Sequence, residues 1–367
     1  MISIFSLFAA VLVLGTWVHN WDPVLLPIWG PLQLRWYGLA YLAGFMAAYF
    51  LLKRFARRGL WVLKEDQVPD FIAYGAMFGI FVGGRLGYVL LYMIPDEGLG
   101  SVLSDPAKII RVWDGGMASH GGFLGVMFFT LFYAWRKKLS WPGIGDSLVV
   151  ACPLGLLFGR VANFINGELY GRLAEGVPWA VKFPASLADT VTRNPEQFEK
   201  AMDAVIAVDP STFGAWGRDY HGWMVQGNVE EAQRVGRGFV QHAEAVARDV
   251  PEVSGALSPY LEPLHPSQLY EALLEGAVLF AVLYYIRIRF PNLAHGVLTG
   301  LFFILYAVFR IVVEKFREPD AAWVIEGVLT KGQFYSIFMI GIGAGFLIYA
   351  RYRGGAAAEA AAKLREG

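Results

Sequence analysis

Seven apolar runs, each close to the length that crosses a lipid bilayer, constrain this 367-residue chain more than any other feature. They fall at Trp36–Leu52, Phe71–Met93, Gly121–Trp135, Ile144–Ile165, Leu269–Ile286, Gly296–Val313 and Phe334–Ala350. About 20 apolar residues in a helix span the hydrocarbon core. The chain therefore reads as an all-α integral membrane protein, a bundle of seven transmembrane helices with a small extracytoplasmic head. The count becomes eight if the run Ile2–Val18 also crosses; that run lacks the basic start of a signal peptide. Only 17% of residues are charged, against ~25% in soluble domains. A net charge of zero gives no sign of nucleic-acid binding.

Basic residues in short loops set the orientation. Lys53, Arg54, Arg57, Arg58 and Lys64 follow the first run, and Arg136, Lys137 and Lys138 the third. Arg287 and Arg289 follow the fifth; Arg351, Arg353, Lys363 and Arg365 follow the last. Every second junction is basic, which predicts that those junctions and the C-terminus are cytoplasmic. The expected organisation is an N-terminal hydrophobic segment and arm (1–35), helices one to four (36–165), an extracytoplasmic head (166–265), helices five to seven (266–350) and a cytoplasmic tail (351–367). Within the head, Pro195–Ile206 and Val229–Val250 carry amphipathic helical patterns. Gly75, Gly79, Gly83 and Gly87 recur every four residues, the pattern of a close helix contact, and Gly155 and Gly159 repeat that spacing. The single cysteine, Cys152, excludes an intrachain disulfide and a cysteine-based metal site, and reads as a small buried residue.

Against this background the stretch Phe158–Gly171 is anomalous. It places Arg160, Asn163, Asn166 and Glu168 at the end of an apolar run, where a charge near the bilayer centre costs roughly 2.5–3.5 kcal/mol on insertion scales. The orientation puts these groups on the extracytoplasmic side. The same depth is predicted for Tyr37, Arg85, His120, the Arg310–Glu314 pair, and Gln268, Glu271 and Glu275 on one helix face. Snorkelling side chains would populate both interfaces about equally. Several arginines near one leaflet suit a phospholipid phosphate, with Glu168, Glu271 and Glu314 holding them in place. The competing reading makes Arg310–Glu314 and Arg160–Glu168 structural ion pairs. His120, followed by Gly121 and Gly122, reads as a candidate general base with ligand space beside it. His265, before Pro266, reads as a hydrogen-bonding residue at a helix entry. No cluster suited to a metal or an organic cofactor is evident.

Six segments in order resemble the prolipoprotein diacylglyceryl transferase family of bacterial membrane enzymes. They begin at Arg35 (RWYGLAYLAGF), Val82 (VGGRLGYVLLY), Arg111 (RVWDGGMASHGGFLGV), Phe158 (FGRVANFINGELYGR), His265 (HPSQLYEALLEG) and Phe309 (FRIVVEKFREPD). The resemblance implies transfer of a diacylglyceryl group from phosphatidylglycerol to the lipobox cysteine of prolipoproteins, with release of glycerol phosphate. It implies a bacterial inner-membrane location with the active site toward the extracytoplasmic leaflet. It makes His120, Arg160 and Arg310 the expected catalytic residues. Tyr37, Arg85, Asn163, Glu168, Gly171, Glu314 and Asp146 are expected at supporting, substrate-binding positions, Asp146 despite its place at the inner end of its helix. The expected partners are phosphatidylglycerol, lipobox-containing prolipoproteins and membrane lipid. A transporter or channel for an anionic solute is the alternative, but the polar groups cluster at one depth and trace no path across the bilayer.

Overall fold

A computed structural model describes residues 17–29, 32–112, 115–318 and 330–366. The predicted run Ile2–Val18 lies outside them save for Trp17 and Val18, which form a two-residue strand, β1. All seven expected spans are helical. They correspond to α1 (Trp36–Arg57), α2 (Glu65–Glu97), α3 (Ser119–Lys137), α4 (Trp141–Ile165), α10 (Ser267–Arg289), α11 (Val297–Val313) and α12 (Lys331–Glu366). Five of the seven meet the length and hydropathy of a membrane crossing; α3 and α11 are the shorter or less apolar helices. Leu42, Phe45, Met46 and Phe50 stand exposed on α1, the pattern of a helix face suited to hydrocarbon. The protein is an all-α, multi-pass membrane protein.

Two compact units divide the chain, and the division cuts through several of the long helices. One unit comprises the described residues up to Ala43 with Leu156–Gly276 and Val308–Ser336; the other holds Gly44–Gly155, Ala277–Ala307 and the chain from Ile337.

The first unit contains an antiparallel hairpin, β2 (Val24–Trp29) with β3 (Leu32–Arg35), directly before α1. Strand β1 pairs in parallel with β4 (Val181–Lys182). Five helices follow: α5 (Leu187–Arg193), α6 (Pro195–Val208), α7 (Pro210–Val225), α8 (Val229–Asp249) and α9 (Pro251–Leu257). Local chemistry sets their starts. Asn194, Asp209 and Asn228 accept the backbone N–H groups of Gln197, Thr212 and Glu231, and Pro195 and Pro210 fill first-turn positions where no donor is needed. The apolar faces close over Phe198, Met202, Phe213, Tyr220 and Phe239. Helices α6 and α8 are the two amphipathic segments expected; α7 was not anticipated.

In the second unit α2 and α3 pack along glycine. A Cβ on Gly83 would lie 2.7 Å from the Gly121 carbonyl oxygen and 2.8 Å from Gly125 Cα, and one on Gly125 would strike the Gly79 carbonyl. Gly87 and Gly121 meet in the same way. The four-residue repeat on α2 is therefore a backbone-to-backbone seam. Gly121 belongs to that seam, whereas a Cβ on Gly122 would make an ordinary 3.7 Å contact with the Ile80 carbonyl. The repeat at Gly155 and Gly159 is different: a Cβ on either would meet nothing within 4 Å, so neither glycine makes the close contact expected. Cys152 also departs from expectation, since it sits exposed on α4; its apolar setting is the outer surface of the helix.

Candidate active site

The first unit gathers Tyr37, Arg160, Asn163, Glu168, Gly171, Arg310 and Glu314, and the way α4 ends explains much of the gathering. Gly167, at φ 69°, terminates the helix. The Gly167 N–H donates to the Phe164 carbonyl at 3.0 Å and the Glu168 N–H to the Asn163 carbonyl at 3.1 Å. This is a Schellman closure, which needs a residue in the left-handed region and favours glycine there. The turn carries the Glu168 side chain back over the last helical turn. There Asn163 Nδ2 donates to Glu168 Oε1 at 2.9 Å and to the Tyr37 hydroxyl at 2.5 Å. Leu169 then adopts φ 57°, an uncommon conformation for a branched residue that needs support from its surroundings. Support comes from α10: Gln268 Nε2 donates to the Glu168 carbonyl at 2.6 Å and Ser267 Oγ to that of Leu169 at 3.1 Å.

Gly171 follows for a steric reason. Its N–H donates to the His265 carbonyl at 2.8 Å, and it forms an antiparallel bridge with Arg317. A Cβ there would collide with the Phe316 carbonyl and lie 2.9 Å from the His265 Cβ. Arg172 continues the clamp, with Nε donating to the Arg317 carbonyl at 2.8 Å. The glycine thus lets two chain segments approach closely enough to seat Arg317. His265 serves at the helix entry as expected, its Nδ1 lying 3.1 Å from the Tyr270 hydroxyl; burial lowers its pKa.

Glu271 is the hub of the charged groups. It is fully buried, and its Oε1 accepts from Arg310 Nη1 at 2.6 Å and from Arg317 Nη1 at 2.7 Å. Its Oε2 lies 3.2 Å from Arg160 Nε. Arg310 also pairs with Glu314 at 3.0 Å and approaches Glu275 at 3.9 Å. Arg310–Glu314 is therefore the i, i+4 pair read from the sequence, but Arg160 pairs with Glu271 and not with Glu168. Gly332 packs against the Glu314 carboxylate, where a Cβ would stand 2.9 Å from Oε1. Three arginines and three glutamates thus form one largely buried network. Ions this deep persist only when paired, because the desolvation cost is several kcal/mol per ion.

The network is incomplete in an informative way. Arg160 and Arg310 keep 19% and 15% of their side chains accessible, and among the described residues the two Nη groups of Arg160 have no protein partner. Both Glu275 oxygens, Gln268 Oε1 and Asn166 Oδ1 are buried without a hydrogen-bond partner among the described residues. Buried polar atoms are nearly always paired. Of these atoms, Glu275 Oε1 lies 3.9 Å from Arg310 Nη1, so it borders the arginine cluster directly. Arg317 was not among the expected site residues. Its only signal is the seven-residue spacing from Arg310, which repeats a helical face although the chain leaves α11 at Val313.

Arg85, His120 and Asp146 belong to the second unit. Arg85 is buried and donates to four backbone carbonyls: Lys108 (2.5 Å), Ile109 (2.9 Å), Gly115 (2.6 Å) and Gly116 (2.8 Å). It braces the loop that leads into α3, and few of its donors remain. His120 is exposed in the first turn of α3 and makes no hydrogen bond among the described residues. Asp146 is buried and accepts from Gly296 N (2.7 Å), Thr299 N (2.9 Å) and Thr299 Oγ1 (2.8 Å). Its carboxylate caps the start of α11, which gives this aspartate a structural role at that end of α4.

Comparison with known proteins places the chain in a family. A family model described as prolipoprotein diacylglyceryl transferase matches residues 23–349. The phosphatidylglycerol–prolipoprotein diacylglyceryl transferase of Yersinia enterocolitica is 37% identical over 335 residues, covering 91% of this chain and 95% of that protein. The protein of the same name from Serratia proteamaculans is 37% identical over 336 residues, covering 91% and 94%. With a match that runs nearly end to end, the chain belongs to the prolipoprotein diacylglyceryl transferase family.

Proposed function

We propose that the chain moves the diacylglyceryl group of phosphatidylglycerol to the lipobox cysteine of a prolipoprotein. The observation that carries this reading is the arginine cluster around Glu271, with the Nη groups of Arg160 unpartnered and acceptors beside them. Arg160 holds the head-group phosphate, and Arg310 adds positive charge from its pair with Glu314. Glu271 and Arg317 keep that pair of guanidiniums in place. The free oxygens of Glu275 and Gln268 suit the hydroxyls of a glycerol head group, which a phosphate alone would not need.

In the reaction the cysteine sulfur attacks the glyceryl carbon next to the phosphate oxygen. A carbon–sulfur bond forms, the carbon–oxygen bond breaks, and its electron pair leaves on glycerol phosphate. Fixed guanidiniums facing that developing charge lower the barrier more than water does, because they need no reorganisation. A free thiol, with pKa near ~8.5, must also lose its proton. We assign that proton to His120, whose imidazole makes no hydrogen bond among the described residues. The reaction runs in the bacterial inner membrane, with the basic junctions and C-terminus in the cytoplasm and the Arg160 end of α4 toward the extracytoplasmic leaflet.

The test is to incubate the purified protein with phosphatidylglycerol and a lipobox peptide and measure the peptide mass. A diacylglyceryl increment is expected, and its absence overturns the assignment. Full activity in His120→Gln would remove His120 as the base.

A further inference from the structure

Near the start of α4 and the end of α10, the second unit encloses a cavity of about 340 Å³ lined by Trp61, Asp146, Arg287, Asn292 and His295 among others. Two charged groups border it, and they differ in how far their charge is satisfied. Asp146 is spent on the start of α11, where three donors occupy its oxygens. Arg287 is only 7% exposed and donates one Nη2 bond to the Leu60 carbonyl. Its Nε is buried with no acceptor among the described residues. No carboxylate lies within ion-pair distance of it among those residues. A buried guanidinium left with an unmade bond is costly, and a cavity beside it offers an acceptor the room to make that bond. At the rim stand Asn292 and His295, both exposed and both carrying N–H donors. Asp146 keeps its negative charge beside Arg287 although its oxygens are occupied, so the draw for an anion is the unmade Arg287 Nε bond, with Arg58 and Arg289 on the same basic junctions.

We propose that this cavity is a second anion site that takes a phosphate group. On α4 it lies by Asp146 in the opening turns, whereas Arg160 of the diacylglyceryl-transfer site lies in the closing turns. Arg287 supplies the buried charge and the fork geometry that matches two phosphate oxygens, and Asn292 and His295 complete the shell. The phosphate is that of a phospholipid head group in the leaflet beside the basic junctions, or a soluble phosphate.

The test uses the full-length protein in two preparations. One is in phospholipid-free detergent, titrated with inorganic phosphate by calorimetry; the other is in phosphatidylcholine nanodiscs with or without phosphatidic acid, read by native mass spectrometry. Each is run on wild type, Arg287→Gln, the rim variant Asn292→Ala and the control Arg310→Gln. In whichever arm binds, Arg287→Gln is expected to weaken one class of site about tenfold or more. Asn292→Ala weakens it less, and Arg310→Gln leaves it intact. Loss confined to the nanodisc arm assigns a lipid head group, and loss in the detergent arm assigns a soluble phosphate. Asn292 is exposed, so its variant reports even if Arg287→Gln does not fold. If wild type and Asn292→Ala bind identically in both arms, and Arg287→Gln either binds identically or is unfolded, the proposal is overturned. Because transfer activity is not read here, failure of this site leaves the transferase assignment standing.

Discussion

Replacing Glu271 by glutamine tests the logic of the charged network at its hub. The substitution keeps size and shape but removes the one carboxylate shared by Arg160, Arg310 and Arg317, at 3.2, 2.6 and 2.7 Å. An amide oxygen can still accept from one or two of them, but its NH₂ then faces a guanidinium. Breaking a fully buried ion pair costs about 3–5 kcal/mol. Glu275, 3.9 Å from Arg310, and Glu314 offset part of that loss. A decrease in stability of roughly 2–4 kcal/mol is therefore expected. The displaced arginines lose their aim at the phosphate, and loss of one preorganised donor typically costs ~10²–10³ in rate. The assay is the initial rate of peptide modification in mixed micelles, with kcat and KM separated, beside a thermal melt of the same preparation. Glu271→Asp keeps the charge with a shorter reach and should retain intermediate activity. A Glu271→Gln protein with wild-type rate and melting temperature would refute the idea that this carboxylate organises the arginines.

Four other outcomes follow from the structure. Gly125→Ala places a methyl against the Gly79 carbonyl and Gly83 Cα, so overpacking of about 1–3 kcal/mol should appear as a lower melting temperature. Asn194→Ala removes the cap of α6 and should cost ~1 kcal/mol by the same readout. Asp146→Asn should lower expression and thermal stability more than it changes KM for phosphatidylglycerol, since the carboxylate serves α11; the reverse pattern would argue for a substrate contact. His19 gives a pH dependence. Burial among Trp17, Trp21, Phe164 and Phe183 pushes its pKa from 6.5 down to about 4. The unfolded chain takes up a proton near 6.5 and the folded chain only near 4, so stability present above pH 6.5 declines as pH falls toward 4. The gap corresponds to roughly 3 kcal/mol, and melts between pH 7 and 4 should flatten in His19→Phe.

Much of this was legible from residue order because the bilayer imposes a simple grammar. Each apolar run of about 20 residues had one solution, a helix, and all seven appear. The glycine repeat on α2 announced its own contact, whereas the same spacing at Gly155 and Gly159 did not, because spacing alone says nothing about whether a partner lies opposite. Helix α7 was hidden by weak amphipathicity, although Asp209-Pro210 is a start signal of the same kind as Asn194-Pro195. The hairpin Val24–Arg35 was hidden by its proline and apolar content. At the site, Arg160, Asn163 and Glu168 stood out because polar groups are costly in lipid. The hub role of Glu271 and the recruitment of Arg317 depend on the clamp between Gly171 and Arg317, a long-range pairing with no local signature. Arg85 and Asp146 show the converse: a charged residue at membrane depth can spend most of its hydrogen bonds on backbone carbonyls or on a helix start.

In the proposed reaction Arg160 holds the phosphate that leaves with glycerol, and Arg310 adds charge beside it. The most direct test is a structure of the full-length protein with phosphatidylglycerol in a lipid nanodisc. The phosphate is expected within hydrogen-bonding distance of Arg160, with Arg310 still paired to Glu271 and the glycerol hydroxyls toward Glu275. A head group bound elsewhere, with Arg160 left free, would contradict it.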